Sequence, residues 1–335
     1  MKCTGNKWIS MRFAALAAAG ALFLYGCGTK DYELEHPYDV YGTSIRYVQQ
    51  QEEDGTKDLA VFESVPYFAQ QLCVGEPAPM ANAPDASAVE AAGVFHLEEG
   101  SITYAKNMHK KLYPASTTKI LTAYTALKHA DLDDIVTVSA AAASQAGDSS
   151  VCGLHTGDQL SLRALLYGLL LESGNDAADA IAQHVSGSAE SFAVLMNEEA
   201  AALGATHSHF TNPHGLHDEN HYTCVYDLYL LLNAALQYEE FETIAKTAKY
   251  TAVYKDASGA SVTQEWETTD KFLTGEAQAP EGVTVLGGKT GTTNAAGYCL
   301  ALYSKNADAK PLISIVLKAE SSDVLYQFMA ELLKL

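Results

Sequence analysis

Strand-like patterns at both ends of this chain enclose a run of helical ones, and that order limits the possible folds. Residues 91–97 and 101–105 read as strands on either side of Glu98-Glu99-Gly100, a tight-turn signal. Apolar residues three and four apart then mark helices over 117–130, 162–171, 176–185, 189–203 and 225–236. After a stretch rich in Thr and charge, 250–275, strand patterns resume at 283–286, 297–303 and 312–318, and an amphipathic helix over 323–333 closes the chain. The economical solution is an α+β fold. One mostly antiparallel sheet gathers the N- and C-terminal strands, terminal helices cover it, and an all-helical lobe, about 120–245, sits beside it. A cleft between sheet and lobe is the expected place for a site.

The first 26 residues belong to a different kind of segment. Lys2, Lys7 and Arg12 precede an apolar run, 13–25, too short to span a bilayer but suited to the core of an export signal. It ends in Leu24-Tyr25-Gly26-Cys27, which resembles the lipobox of bacterial lipoproteins, with Tyr25 bulkier than the small residue usual there. The resemblance implies a lipidated Cys27 that anchors the exported protein on the outer face of the bacterial plasma membrane. An ordinary secretory signal with a chance cysteine is the alternative. Residues 27–88, with "QQQEEDGTKD" and "GEPAPMANAPDAS", read as a polar tether, partly ordered around 61–72, ahead of a domain at 89–335.

The formal net charge is −20, and the signal carries three basic residues and no acidic one, so its removal leaves −23. That charge disfavours nucleic acid as a partner. Beyond Cys3 and Cys27, the cysteines Cys73, Cys152, Cys224 and Cys299 lie far apart with no CxxC pair, against a zinc ribbon or thioredoxin-type site. Export permits disulfides, and the three possible pairings stay open.

In "YPASTTKILTAY", 113–124, Ile120, Leu121, Tyr124 and Leu127 set an apolar stripe that draws Lys119 toward the interior or a cleft, an expensive place for a charge. Ser116 lies three residues earlier, one helical turn away on the same face. Near a helix N-terminus, unpaired N–H groups favour developing negative charge on a hydroxyl. A desolvated Lys119 populates its neutral amine and can take the serine proton. The bland reading makes Ser116 a helix N-cap. In "ESGNDAA", Ser173 and Asn175 can aim a hydroxyl and an amide at one point; a simple Ser-Gly-Asn turn is the alternative. In "LGGKTGTTNAAGYCL", Lys289, Thr290 and Gly291 lie on a strand. On a sheet edge, Lys and Thr side chains can hold a carboxylate, and glycines at 287, 288 and 291 let another backbone approach, as when a peptide adds to the edge. An exposed bend is the plain alternative.

SxxK, SxN and KTG, in that order, resemble the signature of the penicillin-recognising serine enzymes. From about Ala91 to Leu335 the chain is similar to low-molecular-mass penicillin-binding proteins, the serine D-alanyl-D-alanine carboxypeptidases of the peptidase S11-like family. The match includes "KLYPASTTKILTA", "LLLESGNDAADAIA", "FTNPHGLHDENHYTCVYDL" and "GGKTGTTNAAGYCL". The resemblance implies a serine β-lactamase/transpeptidase-like fold and removal of the terminal D-alanine from peptidoglycan stem peptides through an acyl-enzyme, with β-lactam antibiotics as covalent inhibitors. It implies Ser116 as nucleophile, Lys119 as base, and Ser173 and Asn175 as proton relay and holder of the substrate amide. Lys289, Thr290, Gly291 and Thr292 would bind substrate, with the N–H groups of Ser116 and Thr292 as oxyanion hole. No cofactor is expected. One departure stands out: Glu320 falls near a position where several members carry a basic residue for the substrate carboxylate. Gly174, by contrast, stands where class A β-lactamases carry the aspartate of their SDN, which counts against a reading as one of them.

The rivals are weaker. His207, His209, His214, His217 and His221 crowd one segment but match no HExxH helix, so no metal site is expected. A catalytically silent peptidoglycan-binding lipoprotein would need a defect that these intact motifs do not display. A class A-like β-lactamase would need a glutamate in an ExxLN-like context after SxN, and 175–227 offers none. A DD-endopeptidase of the same fold shares every motif and remains open.

Overall fold

The computed structural model describes residues 72–77, 80, 83–147 and 149–335, together with two dipeptide strands farther upstream. The export signal, Cys27 and most of the tether lie outside the described residues. The chain divides into two units, Met1–Tyr67 and Phe68–Leu335. In the first, β1 (Ile45–Arg46) pairs antiparallel with β2 (Glu63–Ser64). The second unit holds the remaining elements.

Its strands are β3 (Val89–His96), β4 (Ser101–Lys106), β5 (Ile135–Thr137), β6 (Gln159–Ser161), β7 (Lys249–Lys255), β8 (Ser261–Glu267), β9 (Thr284–Thr293), β10 (Gly297–Lys305) and β11 (Pro311–Ala319). Its helices are α1 (Lys119–His129), α2 (Ala140–Ala143), α3 (Leu162–Leu170), α4 (Asn175–Ser186), α5 (Ala189–Ala202), α6 (Val225–Ala235), α7 (Glu239–Ala245), α8 (Lys271–Thr274) and α9 (Ser322–Leu332). The main sheet runs β4-β3-β11-β10-β9, antiparallel throughout, so the N- and C-terminal strands do share one sheet.

Alternation along β3 shows why this sheet is covered twice. Ala91 and Phe95 enter the core shared with the helical segment, whereas Val89, Ala92 and Val94 join Leu325, Phe328, Met329 and Leu332 of α9 on the other face. Phe95 stacks on Tyr229 of α6 with ring centroids 4.1 Å apart. Serine caps begin several helices: the Ser161, Ser188 and Ser321 side chains accept from Ala164, Ser191 and Val324 N–H groups.

A second, four-stranded sheet, β5-β6-β7-β8, was not visible in the sequence patterns. Two of its strands interrupt the helical segment, and the others form a hairpin in register from Lys249↔Glu267 to Lys255↔Ser261. The hairpin's charged residues all belong to its solvent face, while Ala252, Tyr254 and Trp266 turn inward. That half-buried alternation is what made the segment read as merely polar. Cys73, Cys152, Cys224 and Cys299 are all free and buried.

Candidate active site

A single 3-10 turn, Ala115–Thr118, leads into α1 and carries Ser116 at its second position. Its backbone is held in an uncommon shape: Ala115 has φ +49°, a left-handed conformation that costs about 1 kcal/mol or more for a residue with a side chain. Hydrogen bonds fix it there. Thr117 Oγ1 donates to Pro114 O at 2.8 Å, and Thr118 Oγ1 donates to Ala115 O at 2.8 Å. The same Thr118 oxygen lies 2.8 Å from Nε2 of the buried His221, whose Nδ1 accepts the Thr211 N–H at 3.0 Å. With Nδ1 accepting, the neutral ring carries its proton on Nε2 and donates it to Thr118. Burial pushes the His221 pKa down to about 4, so this neutral form dominates near pH 7. Two glycines make room for the turn. A Cβ on Gly215 would stand 1.9 Å from Ala115 O, and one on Gly291 would stand 2.8 Å from Ser116 N. Ser116 caps no helix: the cap positions are Pro114 and Thr118, neither with a side-chain cap bond.

Lys119 is fully buried. Its Nζ lies 3.0 Å from Ser116 Oγ, 2.7 Å from Asn175 Oδ1 and 2.8 Å from His214 O. Burial first, and then the charge of Lys289, hold its pKa well below the usual lysine value. A neutral amine in this position gives its two hydrogens to Asn175 and His214 and turns its lone pair toward the serine hydroxyl.

Ser173 has φ +59°, and its buried hydroxyl has no hydrogen-bond partner among the described residues. Asn175 opens α4, and its N–H donates to Ser150 O at 2.8 Å. Asp176 next to it accepts from Cys152 N at 2.9 Å and Leu154 N at 3.0 Å, binding the 150–154 loop to the start of α4. Gly174 leaves no room for a side chain: a Cβ there would lie 2.3 Å from Cys152 Sγ.

Lys289 and Thr290 lie on β9, an edge strand of the main sheet. Lys289 is buried and donates to Thr290 O at 3.1 Å. Desolvation brings its pKa down to about 7, opposed by the buried Asp270 carboxylate, whose own pKa burial raises to about 6. The Thr290 hydroxyl meets that of Thr269 at 2.5 Å. The close approach allowed by the β9 glycines is intramolecular. Added Cβ atoms on Gly287, Gly288 and Gly291 would collide with Ala245 O, Ala301 O and the Ser116 turn.

Ser116, Ser173, Thr290, Gly291 and Thr292 line one cleft of about 230 Å³, with Lys119, Asn175 and Lys289 buried beside it. Among the described residues the lining includes no carboxylate, and Glu320 is not part of it. An unpartnered hydroxyl, a lysine of depressed pKa on a serine and a strand edge carrying a second lysine suit acyl transfer to serine from a substrate with a carboxylate. Sequence reasoning did not single out Thr118, His221, Asp176 or Thr269 as supports. The histidine cluster, whose spacing fits no metal motif, turns its members to separate partners, His221 to Thr118 and His209 to Asn220 O.

The profile of the D-alanyl-D-alanine carboxypeptidase family, peptidase S11, matches residues 78–321. The chain belongs to that family. It is 32% identical over 229 residues to D-alanyl-D-alanine carboxypeptidase DacF of Bacillus subtilis, covering 67% of this chain and 56% of that protein. It is 35% identical over 244 residues to DacC of Escherichia coli, covering 70% and 57%. The chain thus spans little more than half the length of these two relatives. Among solved structures, the DD-transpeptidase of Streptomyces K15 superposes with a TM-score of 0.68 at 30% identity, over 73% of this chain and 95% of that one. The D-alanyl-D-alanine carboxypeptidase of Mycobacterium tuberculosis H37Rv gives 0.67 at 29% identity, over 77% and 94%. The α+β, serine β-lactamase/transpeptidase-like fold expected from the sequence is the fold of this family member.

Proposed function

We propose that this chain is a serine DD-carboxypeptidase that removes the terminal D-alanine from peptidoglycan stem peptides. The observation that carries this reading is Lys119, fully buried and within hydrogen-bond distance of both Ser116 Oγ and Asn175 Oδ1, beside an edge strand that bears Lys289. The peptide enters along β9 with its terminal carboxylate toward Lys289, Thr290 and Thr292. Ser116 Oγ attacks the carbonyl carbon between the last two residues as its proton passes to Lys119. The oxyanion forms against the N–H groups of Ser116 and Thr292, where preorganised donors contribute roughly 3 kcal/mol each. The C–N bond then breaks, and Ser173, whose hydroxyl has no partner among the described residues, relays the proton to the departing amine. Water attacks the resulting ester, the proton returns, and Ser116 is freed.

A β-lactam opens on the same serine but keeps its leaving amine tethered, so its hydrolysis needs a further general base. Among the described residues the cleft lining offers no carboxylate for that task, which favours the carboxypeptidase over a class A-like β-lactamase. D-Alanine release from a peptide ending in D-Ala-D-Ala, together with one penicilloyl adduct that maps to the peptide containing Ser116 and persists for minutes, is the expected result. Rapid drug turnover without D-alanine release would reverse the assignment, and Ser116→Ala should abolish both reactions. We also propose that Cys27, by its resemblance to a lipobox, anchors the protein on the outer face of the plasma membrane. Unchanged membrane retention of a Cys27→Ala protein would remove that part.

A further inference from the structure

In a chain of net charge −20, the single charged side chain among the described residues that line the cleft is positive: Lys271. It comes from neither lysine motif. It begins α8, the short turn of helix that follows the β7–β8 hairpin. Its backbone is fixed on several sides. The Lys271 N–H donates to the Tyr326 hydroxyl at 2.9 Å, Asp270 Oδ1 accepts the Phe272 N–H at 3.0 Å, and the Lys271 carbonyl accepts the Ala277 N–H at 2.8 Å. Two residues earlier, the Thr269 hydroxyl is bonded to that of Thr290 at 2.5 Å, so the segment is fastened to the carboxylate-binding strand. The side chain is half-buried, with Nζ 5.6 Å from the centre of the Tyr326 ring and no carboxylate within 4.0 Å among the described residues.

A cation 5.6 Å from the centre of an aromatic ring, with no carboxylate within 4.0 Å and no acidic side chain lining the cleft among the described residues, is placed to take an anion from outside. Coulomb energy falls with distance and with exposure to water, so an ammonium on a cleft wall attracts more strongly than the same group on an open surface. Glu320, which falls near the sequence position of a basic residue in several similar proteins, does not line the cleft. Lys271 supplies a positive charge from a different element.

We propose that Lys271 is a specificity-determining residue of this enzyme, a second cation that binds the terminal carboxylate of the peptide together with Lys289. This rests on the carboxypeptidase reading above. Lys289 is buried on the strand and bonded to Thr290 O, whereas Lys271 stands on the wall at the Thr269–Thr290 contact. The terminal carboxylate therefore lies between charges on two separate elements, and a donor without that carboxylate loses both.

The test compares wild type, Lys271→Met and Lys271→Arg on two peptides, one ending in D-Ala-D-Ala and the same peptide with its terminus as the carboxamide. For Lys271→Met, kcat/KM on the free acid should fall about tenfold while the value on the amide changes less than twofold. Lys271→Arg should recover most of the loss, and added salt should shrink the preference of the wild type for the acid. Equal losses on both peptides would make Lys271 a packing residue and overturn the proposal, as would no loss on either. The rate of penicilloyl adduct formation gives a second reading, because the drug also carries a carboxylate, and it too should slow in Lys271→Met. Wild-type protein that released nothing from either peptide and formed no adduct on Ser116 would remove the carboxypeptidase reading and this proposal with it. Adduct formation on a wild type that spares both peptides would count against the peptidase alone, and the rate in Lys271→Met would still decide the role of Lys271.

Discussion

Gly291→Ala tests whether β9 is seated on the nucleophile turn as tightly as the geometry requires. The added Cβ would lie 2.8 Å from Ser116 N, 2.9 Å from Pro114 O and 2.9 Å from Thr117 N. Ordinary van der Waals contact begins at 3.4 Å, so the three distances fall short by 0.5 to 0.6 Å. All three atoms belong to the backbone, and no side chain can rotate away to make space. Overpacking of this kind costs about 1–3 kcal/mol, which for a domain of this size corresponds to a melting temperature lower by roughly 2–12 °C. If the strand moves off instead, the N–H groups of Ser116 and Thr292 separate by about half an ångström. A misplacement near 1 Å can cost about 100-fold, so acylation should slow by about tenfold. The measurement is the second-order rate of penicilloyl adduct formation by intact mass, beside a thermal melt. Gly147→Ala, whose Cβ would meet nothing within 4 Å, serves as control and should change neither. A Gly291→Ala protein that melts within 1 °C of wild type and acylates within twofold of its rate would refute the reasoning.

Three further outcomes follow from the same geometry. Lys289→Met should raise the melting temperature while weakening the response to a substrate carboxylate. A lysine whose folded pKa, about 7, lies below its unfolded value destabilises fully at lower pH, and the penalty fades as pH rises from about 7 toward 10.5, so the gain should be larger at pH 6 than at pH 9; an equal gain at both pH values would contradict the assignment. Thr118→Val removes the bond to Ala115 O and leaves His221 Nε2–H unpaired, which should cost about 1–3 kcal/mol and slow acylation, whereas Thr118→Ser should restore both in melts and adduct kinetics. Gly174→Ala should destabilise by about 1–3 kcal/mol, and Cys152→Ala on that background should recover part of the loss; strictly additive denaturation energies would show that the Sγ contact is not the cause.

The parts legible in the sequence share a short range. Ser116 and Lys119 are one helical turn apart, Ser173 and Asn175 flank one glycine, and Lys289, Thr290 and Thr292 follow on a strand, so spacing alone groups them before any tertiary structure is known. Their convergence on one cleft came from the order of the motifs and the family likeness. The main sheet was readable because β3 and β11 alternate between two apolar faces. The hairpin was not, since its outward Lys and Glu residues dominate the composition while only Ala252, Tyr254 and Trp266 mark the buried side. The supports of the site were hidden for another reason. His221 reaches Thr118 across 103 residues and Thr269 reaches Thr290 across 21, and neither contact leaves a periodic trace. Lys271 sits in a segment whose charge looks like solvation until the fold turns it to the cleft.

The four free thiols offer a way to time the motions of this protein without introducing a probe. Cys73 donates to His96 O beside the main sheet, Cys152 fills the space under Gly174, Cys224 caps α6, and Cys299 pairs with Gly291 across β10 and β9. Burial pushes the Cys224 and Cys299 pKa values up to about 12, so both are almost wholly protonated near neutral pH and closed to alkylating reagents. Reaction then waits for the region around each sulfur to open, and opening free energies differ from one part of a fold to another. Alkylation followed by mass mapping becomes a four-channel record of local unfolding, with Cys152 reporting the loop behind Ser173 and Cys299 the strand pair that carries Lys289 and Thr290.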